Sequence, residues 1–499
     1  MLALPDESCA DWAHRSFAHA RLGDVRRSRR LVALAAAAAA TPAGKITKVC
    51  TTGAARQGAY DWIESKEFSV AQVRQAVLAS TVAQCVSLTF VFVPLDQTSL
   101  VFTDTARGKD FGGVGRGSRC RGAQVMTALA VSPDGTPIGL CGQSWWARPR
   151  RVWGRKALRR GRGPKGPRAR QQRKDLKQRD RLRAVARRNR QRAFEQKETF
   201  RWVEVATEVC TAFQESGVKP WVQCDRGADN QDVLMGLAAL PLWFTVRSKS
   251  NRRLDDGTLL LGQMASQPVV GRYDVDVPAR AKRAARVATM VMRWAQVTLT
   301  MRHKGTGLER KLTLWVVQAD EVAVRPGQRG LRWTLLTNHP VSTGAEARLV
   351  LKGYEARWRI EEMHRAWKRG ACRVEDSELR TMERVSRWGT VLAAVATRIS
   401  RLTYLAREKP EQSADLDFSQ DEIDAAILLR RPPGWKPGQS PTLGQMVRWV
   451  ADVGGYTGKS SGGPPGTTVI GRGLERVKMV AEGLAGAKKL GMTLAPEIR

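Results

Sequence analysis

The chain has 499 residues, enough for two or three domains and a sizeable core. Its 84 Lys and Arg against 47 Asp and Glu leave a net charge of +37. A balance of that size points to a polyanionic partner, nucleic acid before a membrane surface, since no basic amphipathic helix with an aromatic face stands out. No stretch approaches ~20 uninterrupted apolar residues, and the opening MLALPDESCADW lacks a secretory pattern. The 8 cysteines form no CxxC and only 5 histidines occur, which argues against a disulfide framework or a zinc site and fits a reducing cytoplasm.

Asp24 can cap a helix over 25–40 whose first turns carry Arg26, Arg27, Arg29 and Arg30. A second helix is expected from Gly53 to about Ile63, with Arg56, Gln57 and Tyr60 at helical spacing, and a third after Ser69. Residues 1–72 thus read as a small helical unit. Either its arginines meet DNA phosphates with Gln57 or Tyr60 near bases, or they form a solvated cluster; the charge of the chain favours DNA.

Val86–Phe102 is rich in β-branched and aromatic residues and predicts a buried strand interrupted by Asp96. A buried strand Asp needs a partner, a metal or an open strand end. Pro94 cannot donate to a ladder, so pairing is expected to begin at Leu95. A hairpin follows, Val125–Val131 and Thr136–Cys141 around Ser132-Pro133-Asp134-Gly135, and Trp145 and Trp146 read as core. Between Arg151 and Lys197, inside an insertion at 147–198, 20 Lys and Arg face Asp175, Asp180 and Glu195. That segment is expected to be disordered when free and ordered on phosphates.

Trp202–Phe213 reads as a helix, Pro220–Cys224 as a strand with Asp225 at its C-terminal end, and Leu242–Ser248 as a strand ending near Arg247. Strand C-termini are where open α/β sheets place ligands, although a turn aspartate is the plainer reading of Asp225 alone. In the DRGADN run between them, Asp229 or Asn230 can cap a helix from Gln231 to Leu240, and Asp229 is better explained as a cap than as a catalytic residue. From about 251 to 340, short strands and turns suggest an all-β insertion whose last strand carries Trp333, either core or a platform for an unstacked base.

Tyr354–Lys368, YEARWRIEEMHRAWK, is expected to form one helix. At roughly 100° per residue Tyr354, Arg357, Glu361, His364 and Lys368 fall within about 80°, while Ile360, Met363 and Trp367 form a neighbouring apolar face. His364 has no assigned task. Taken alone this is an amphipathic helix with a charged face. With Asp96 and Asp225 at strand ends, Glu361 completes a carboxylate set able to hold two Mg²⁺ ions, with Mn²⁺ as substitute, about 4 Å apart for in-line phosphoryl transfer. Helices are further expected over 381–405, 421–429, 443–453 and 474–487.

Several stretches resemble the bacterial DDE transposases of the insertion-sequence-four type, including the Tn-five transposase: LGDVRRSRRLVALA and GAARQGAYDWI near the start, LDQTSL, CDRGAD and FTVRSKS in the middle, RWTLLTNHP, YEARWRIEEMHRAWKRGA and VADVGGYTG later. The family's Tyr-Arg-Glu-Lys spacing, Y-x2-R-x3-E-x6-K, is met by Tyr354, Arg357, Glu361 and Lys368. Gln97 departs from the Ser or Thr common after the first Asp, and the 147–198 insertion is longer and more basic than expected.

The resemblance implies an α/β, ribonuclease-H-like catalytic core over 73–408 with the all-β insertion. An N-terminal helical DNA-binding domain would flank it at 1–72 and a C-terminal helical dimerisation region at 409–499. It implies Asp96, Asp225 and Glu361 as catalytic and metal-binding residues. Tyr354, Arg357, Lys368 and Trp333 would take phosphates and a flipped base, and Arg247 would contact DNA alongside Arg26, Arg27, Arg30, Gln57 and Tyr60. The implied activity is cut-and-paste transposition: hydrolysis at the ends, a DNA hairpin, and joining of the 3′ end to target DNA by a homodimer in the bacterial cytoplasm. The alternatives are an inactive end-binding relative and a nuclease of the same fold.

Overall fold

The computed structural model describes residues 9–105, 108–115, 120–148, 192–277, 285–302, 308–322, 330–436, 438–458 and 464–490. Most of the basic 147–198 segment lies outside the described residues, and so does most of the Gly/Pro/Ser loop at 458–466.

Five helices open the chain: α1 (Cys9–Phe17), α2 (Val25–Ala40), α3 (Ile46–Val49), α4 (Gly53–Glu64) and α5 (Val70–Cys85). The caps are those expected. The Asp24 side chain accepts from Arg26 N, and Ser69 and Gln72 form a reciprocal capping box. Leu31, Leu34, Ala35 and Ala38 recur at helical spacing on α2 and are buried, which turns its arginines outward.

The middle of the chain forms β1 (Phe90–Phe102), β2 (Gly112–Gly113), β3 (Arg121–Val131), β4 (Pro137–Trp146), α6 (Phe200–Phe213), β5 (Lys219–Cys224), α7 (Gln231–Ala238), β6 (Trp243–Arg247), α8 (Leu260–Ala265), β7 (Gly271–Val277), β8 (Arg286–Arg302), β9 (Glu309–Glu321) and β10 (Arg332–Thr337). These strands make one sheet in the order β2-β3-β1-β5-β6-β10-β9-β8-β7, with β4 on β3. β1, β5 and β6 run parallel, and β3 is antiparallel to β1.

Two expectations are corrected here. Pairing begins at Phe90, not Leu95: Pro94 sits inside β1, in register with Gln223 of β5. The β1–β3 ladder skips Val93 and Pro94, so the missing N–H falls where that ladder is already interrupted. The stretch from 251 to 340 is a strand-rich insertion but not an all-β one. β10 pairs with β6, which makes β7–β10 the far half of the same sheet, and α8 interrupts the run of strands.

The rest is helical: α9 (Gly344–Ala356), α10 (Trp358–Lys368), α11 (Met382–Glu408), α12 (Gln420–Arg430), α13 (Leu443–Val453) and α14 (Thr467–Lys489). Tyr354–Lys368 is therefore two helices rather than one. Arg357 ends α9 and starts α10, and its N–H bonds the carbonyl of Tyr354 only three residues back. The helical period runs through the join because Arg357 keeps helical dihedrals, so the sequence pattern does not reveal it. α14 begins at Thr467, seven residues before the expected Leu474.

α11 lies at the centre of the helical side. Val391, Leu392, Val395 and Ile399 are buried in one apolar cluster that also holds Leu31 of α2, Trp367 of α10 and Val477 of α14. Burying that face removes water from several large side chains, each worth about 1.5–3 kcal/mol. Among the described residues no helix is long and apolar enough to cross a membrane.

Candidate active site and DNA-binding module

The site forms where the parallel ladder between β1 and β5 ends, β5 stopping at Cys224 while β1 runs on to Phe102 against β3. Leu95 of β1 is in register with Cys224 of β5, the last pair of that ladder. The next residues are Asp96 and Asp225. Asp225 also accepts from Gly227 N at 2.7 Å, which turns the chain into the short helical turn Arg226–Ala228. Behind them α9 presses on the sheet at Gly353, where a Cβ would come within 2.6 Å of the Phe92 ring and 2.9 Å of the Gln223 amide nitrogen. That close approach helps bring α10 over the strand ends.

Glu361, one turn into α10, has its carboxylate 2.5 Å from the Arg357 Nη2. Lys368, at the far end of α10, donates to Ser99 O at 2.6 Å and Thr98 Oγ1 at 3.2 Å, which ties this helix to β1. Burial pulls the Lys368 ammonium below its usual range. Among the described residues no group of three His, Cys, Asp or Glu side chains stands at metal-holding distance. Asp96 nonetheless feels the charges of the other two carboxylates. Burial first, then the neighbouring Asp225 and Glu361 charges, push the Asp96 carboxyl up to about 7 against the pull of Arg357.

His364 belongs to this site although sequence reasoning gave it no task. Its Nδ1 lies 3.8 Å from Asp96 Oδ2, and its Nε2 is buried without a hydrogen-bond partner. Burial, followed by Lys368, drives its pKa down to about 3, so it is a neutral ring beside the first aspartate. The available signal was its place on the arc with Glu361 and Lys368.

Next to the carboxylates is an aromatic and cationic cluster. Trp333 and Tyr354 meet edge to face at 5.9 Å, and Arg247 and Arg357 lie 5.9 and 5.7 Å from the Tyr354 ring. Tyr354 is buried by these neighbours, whereas Trp333 and Arg247 are half-exposed. Arg247 also donates to Arg332 O.

The second aspartate of the DRGAD run is not the helix cap expected. Asn230 caps α7, bonding Val233 N at 3.1 Å. Asp229 is fully buried, and it accepts from Lys249 N at 2.7 Å and pairs with the Arg252 guanidinium. It therefore holds the loop that follows Arg247. Two capable side chains stand side by side at 229 and 230, and only the distant Arg252 decides between them.

In the N-terminal helices the candidates divide. Arg26 is exposed, 3.4 Å from Asp24. Arg27 is occupied by Leu22 O and Glu67, and its own carbonyl takes the Trp62 indole N–H. Arg30 lies against Gly58, where a Cβ would sit 2.7 Å from its guanidinium carbon. Gln57 bonds Asp61 at 2.7 Å. Tyr60 lines a cavity of about 300 Å³ with Lys45, Arg380 and Arg384. The N-terminal candidates and the carboxylates are thus on different elements, α2 and α4 for the former, β1, β5 and α10 for the latter.

Comparison with known proteins bears on both ends. A solved structure described as a piggyBac transposase synaptic complex with hairpin DNA is similar at 9% identity and a TM-score of 0.32, covering 86% of this chain and 60% of that one. This chain therefore spans less than two thirds of that protein's length. Residues 9–68 match the family model described as transposase DNA-binding, and residues 394–493 match that of the transposase Tn5 dimerisation domain. The α1–α4 bundle is accordingly similar to a transposase DNA-binding domain, and the chain from the second half of α11 onward is similar to the dimerisation domain of the Tn5 transposase.

Proposed function

We propose that the protein is a cut-and-paste DNA transposase with a ribonuclease-H-like core, acting as a dimer at the two ends of a mobile element in the bacterial cytoplasm and nucleoid. The observation that carries this reading is the juxtaposition of Asp96 and Asp225, just past the last pair of the β1–β5 ladder, with Glu361 of α10 close enough for its charge to act on Asp96. The flanking DNA-binding and dimerisation domains support it, and the order β4-β3-β1-β5-β6 with only β3 antiparallel to β1 agrees with such a core.

The donor set suits Mg²⁺ or Mn²⁺. Asp96, whose proton affinity is raised by burial and by two neighbouring carboxylates, would be stabilised in its charged form by an oxygen-seeking dication. Asp96, Asp225 and Glu361 would hold two such ions, whose chemistry when bound is to activate a water or 3′-hydroxyl and to neutralise the leaving oxygen. Everything else falls to the chain itself. Arg357 balances Glu361 and is placed to turn to a phosphate. Lys368 keeps α10 against β1 beside the scissile position. The Trp333–Tyr354–Arg247 cluster offers a ring face and a cation to an unpaired nucleotide.

The test is the product spectrum of the full chain with Mg²⁺ and DNA carrying its native ends. Transposition predicts cleaved ends, a hairpin on the released element and joined product, all absent for Glu361→Ala. Cleavage with no joining would identify a nuclease, and uncut DNA with wild type would identify an inactive end-binding protein.

A further inference from the structure

Cys9 and Lys478 take no part in the chemistry proposed above, yet they meet. Cys9 opens α1, in the DNA-binding domain, and Lys478 lies 469 positions later on α14, in the dimerisation domain. Lys478 Nζ contacts Cys9 Sγ and donates to Ala39 O at 2.8 Å. Arg398 of α11 brings Nη1 to 3.4 Å from the same sulfur. The cysteine is half-buried, whereas the Lys478 side chain is only 5% exposed.

The groups around the pair set its reactivity. Glu422 of α12 approaches Lys478 at 3.9 Å, Glu482 favours its charge from one turn further along α14, and Arg398 also bonds the backbone carbonyl of Asp417. Burial outweighs the acids and pulls the ammonium down to about 7, so a neutral amine is available near neutral pH. The Arg398 guanidinium is then the fixed positive charge beside the sulfur, and the thiolate is the form that oxidants attack. A nucleophilic sulfur and a buried amine in contact have a use that a solvated lysine lacks.

We propose that Cys9 and Lys478 form an oxidant-responsive site at which a peroxide closes a covalent sulfur–nitrogen bond between the first and last helices of the chain. The Cys9 thiolate attacks the peroxide: a sulfur–oxygen bond forms, the oxygen–oxygen bond breaks and hydroxide leaves. The sulfur is oxidised by two electrons as the peroxide is reduced. The Lys478 amine then attacks the sulfenic sulfur. The sulfur–nitrogen bond forms, the sulfur–oxygen bond breaks, and the departing hydroxide leaves as water with one amine proton. The product is a sulfenamide with two hydrogens fewer than the reduced chain. A thiol reductant reverses it by attack on sulfur, first releasing the amine and then, through a second thiol, the Cys9 thiol. While it lasts, the bond fixes the DNA-binding domain to α14.

Hydrogen peroxide treatment of the full chain, followed by intact mass measurement and peptide mapping without reductant, tests this. Wild type is expected to yield a linked pair of peptides containing Cys9 and Lys478, with the corresponding loss of about 2 Da, and dithiothreitol should undo it. Cys9→Ser and Lys478→Arg should give no linked pair. Cys9→Ser preserves size, and an unchanged melting temperature shows that its fold is intact. Exposed Cys120 serves as internal reference, since it should oxidise without acquiring a lysine. Oxidation of Cys9 to a sulfinic acid or a mixed disulfide with Lys478 unmodified would overturn the proposal. So would a Cys9 that stays reduced while Cys120 reacts.

Discussion

Two arginines on the helical side show how differently the molecule treats its cleft and its joints. Arg387 of α11 is 1% exposed, and its guanidinium donates to the carbonyls of Ile63, Ser65 and Phe68, pairs with Glu383 and lies over the Phe68 ring. It bolts the α4–α5 corner of the DNA-binding side to the central helix. Arg357 in the cleft bonds Glu361 alone among side chains, with its Nε unpartnered. The aspartates repeat the contrast within five residues. Asp229 is sealed in with Arg252, Ser248 and Lys249, whereas Asp225 is half-exposed and bonds its own turn. Charges at joints are tied to several partners at once, and charges in the cleft to few, as expected where a ligand supplies further partners.

The comparison can be broken first at the joint. Arg387→Met should cost about 3–5 kcal/mol, because three carbonyls lose their donor and Glu383 its partner. Urea unfolding would read this, and the activity of the remaining folded protein should be little changed. Asp229→Ala should come next, at about 2–3 kcal/mol, since it strands a partly buried Arg252. Because the loop after Arg247 is then unanchored, end-DNA affinity should fall with it, measurable by fluorescence anisotropy.

These residues also show what could be read in advance. The caps at Asp24 and Ser69, the hairpin around Ser132-Pro133-Asp134-Gly135, and the placement of Asp225 at the end of its strand are local patterns and survive intact, whereas Asp96 lies inside β1 rather than at its end. The break at Arg357 is invisible because the helical period passes through it. The continuity of β6 with β10 rests on a pairing about 90 residues apart in sequence, and strand patterns carry no partner information. The surroundings of Asp229 and His364 are set by Arg252 and Asp96, which sequence spacing does not connect to them.

A smaller effect should appear in the pH dependence of metal-free protein. The Asp96 pKa is raised from 3.8 to about 7, so the native state holds more protons than the unfolded chain between those values. Its contribution to stability is therefore largest below about pH 4 and is lost as pH rises through about 7. In EDTA, the urea midpoint of wild type should decline across that window more steeply than that of Asp96→Asn. The smallest expected change concerns the basic segment. Removing 151–197 takes away 20 Lys and Arg, so DNA affinity should fall most at low salt, with a shallower salt dependence. Unchanged affinity would make that segment a spacer.

The central claim is that Asp96, Asp225 and Glu361 perform phosphoryl transfer, while neighbouring acids such as Asp229 hold the fold. Single-turnover cleavage of native-end DNA in Mg²⁺, measured alongside DNA binding and melting temperature, tests it most directly on Asp225→Ala. Cleavage should fall by about 10³-fold or more while binding stays within a few-fold and stability is unchanged or slightly raised, since a like charge has left the cleft. Cleavage at the wild-type rate by a folded, DNA-bound Asp225→Ala protein would contradict it.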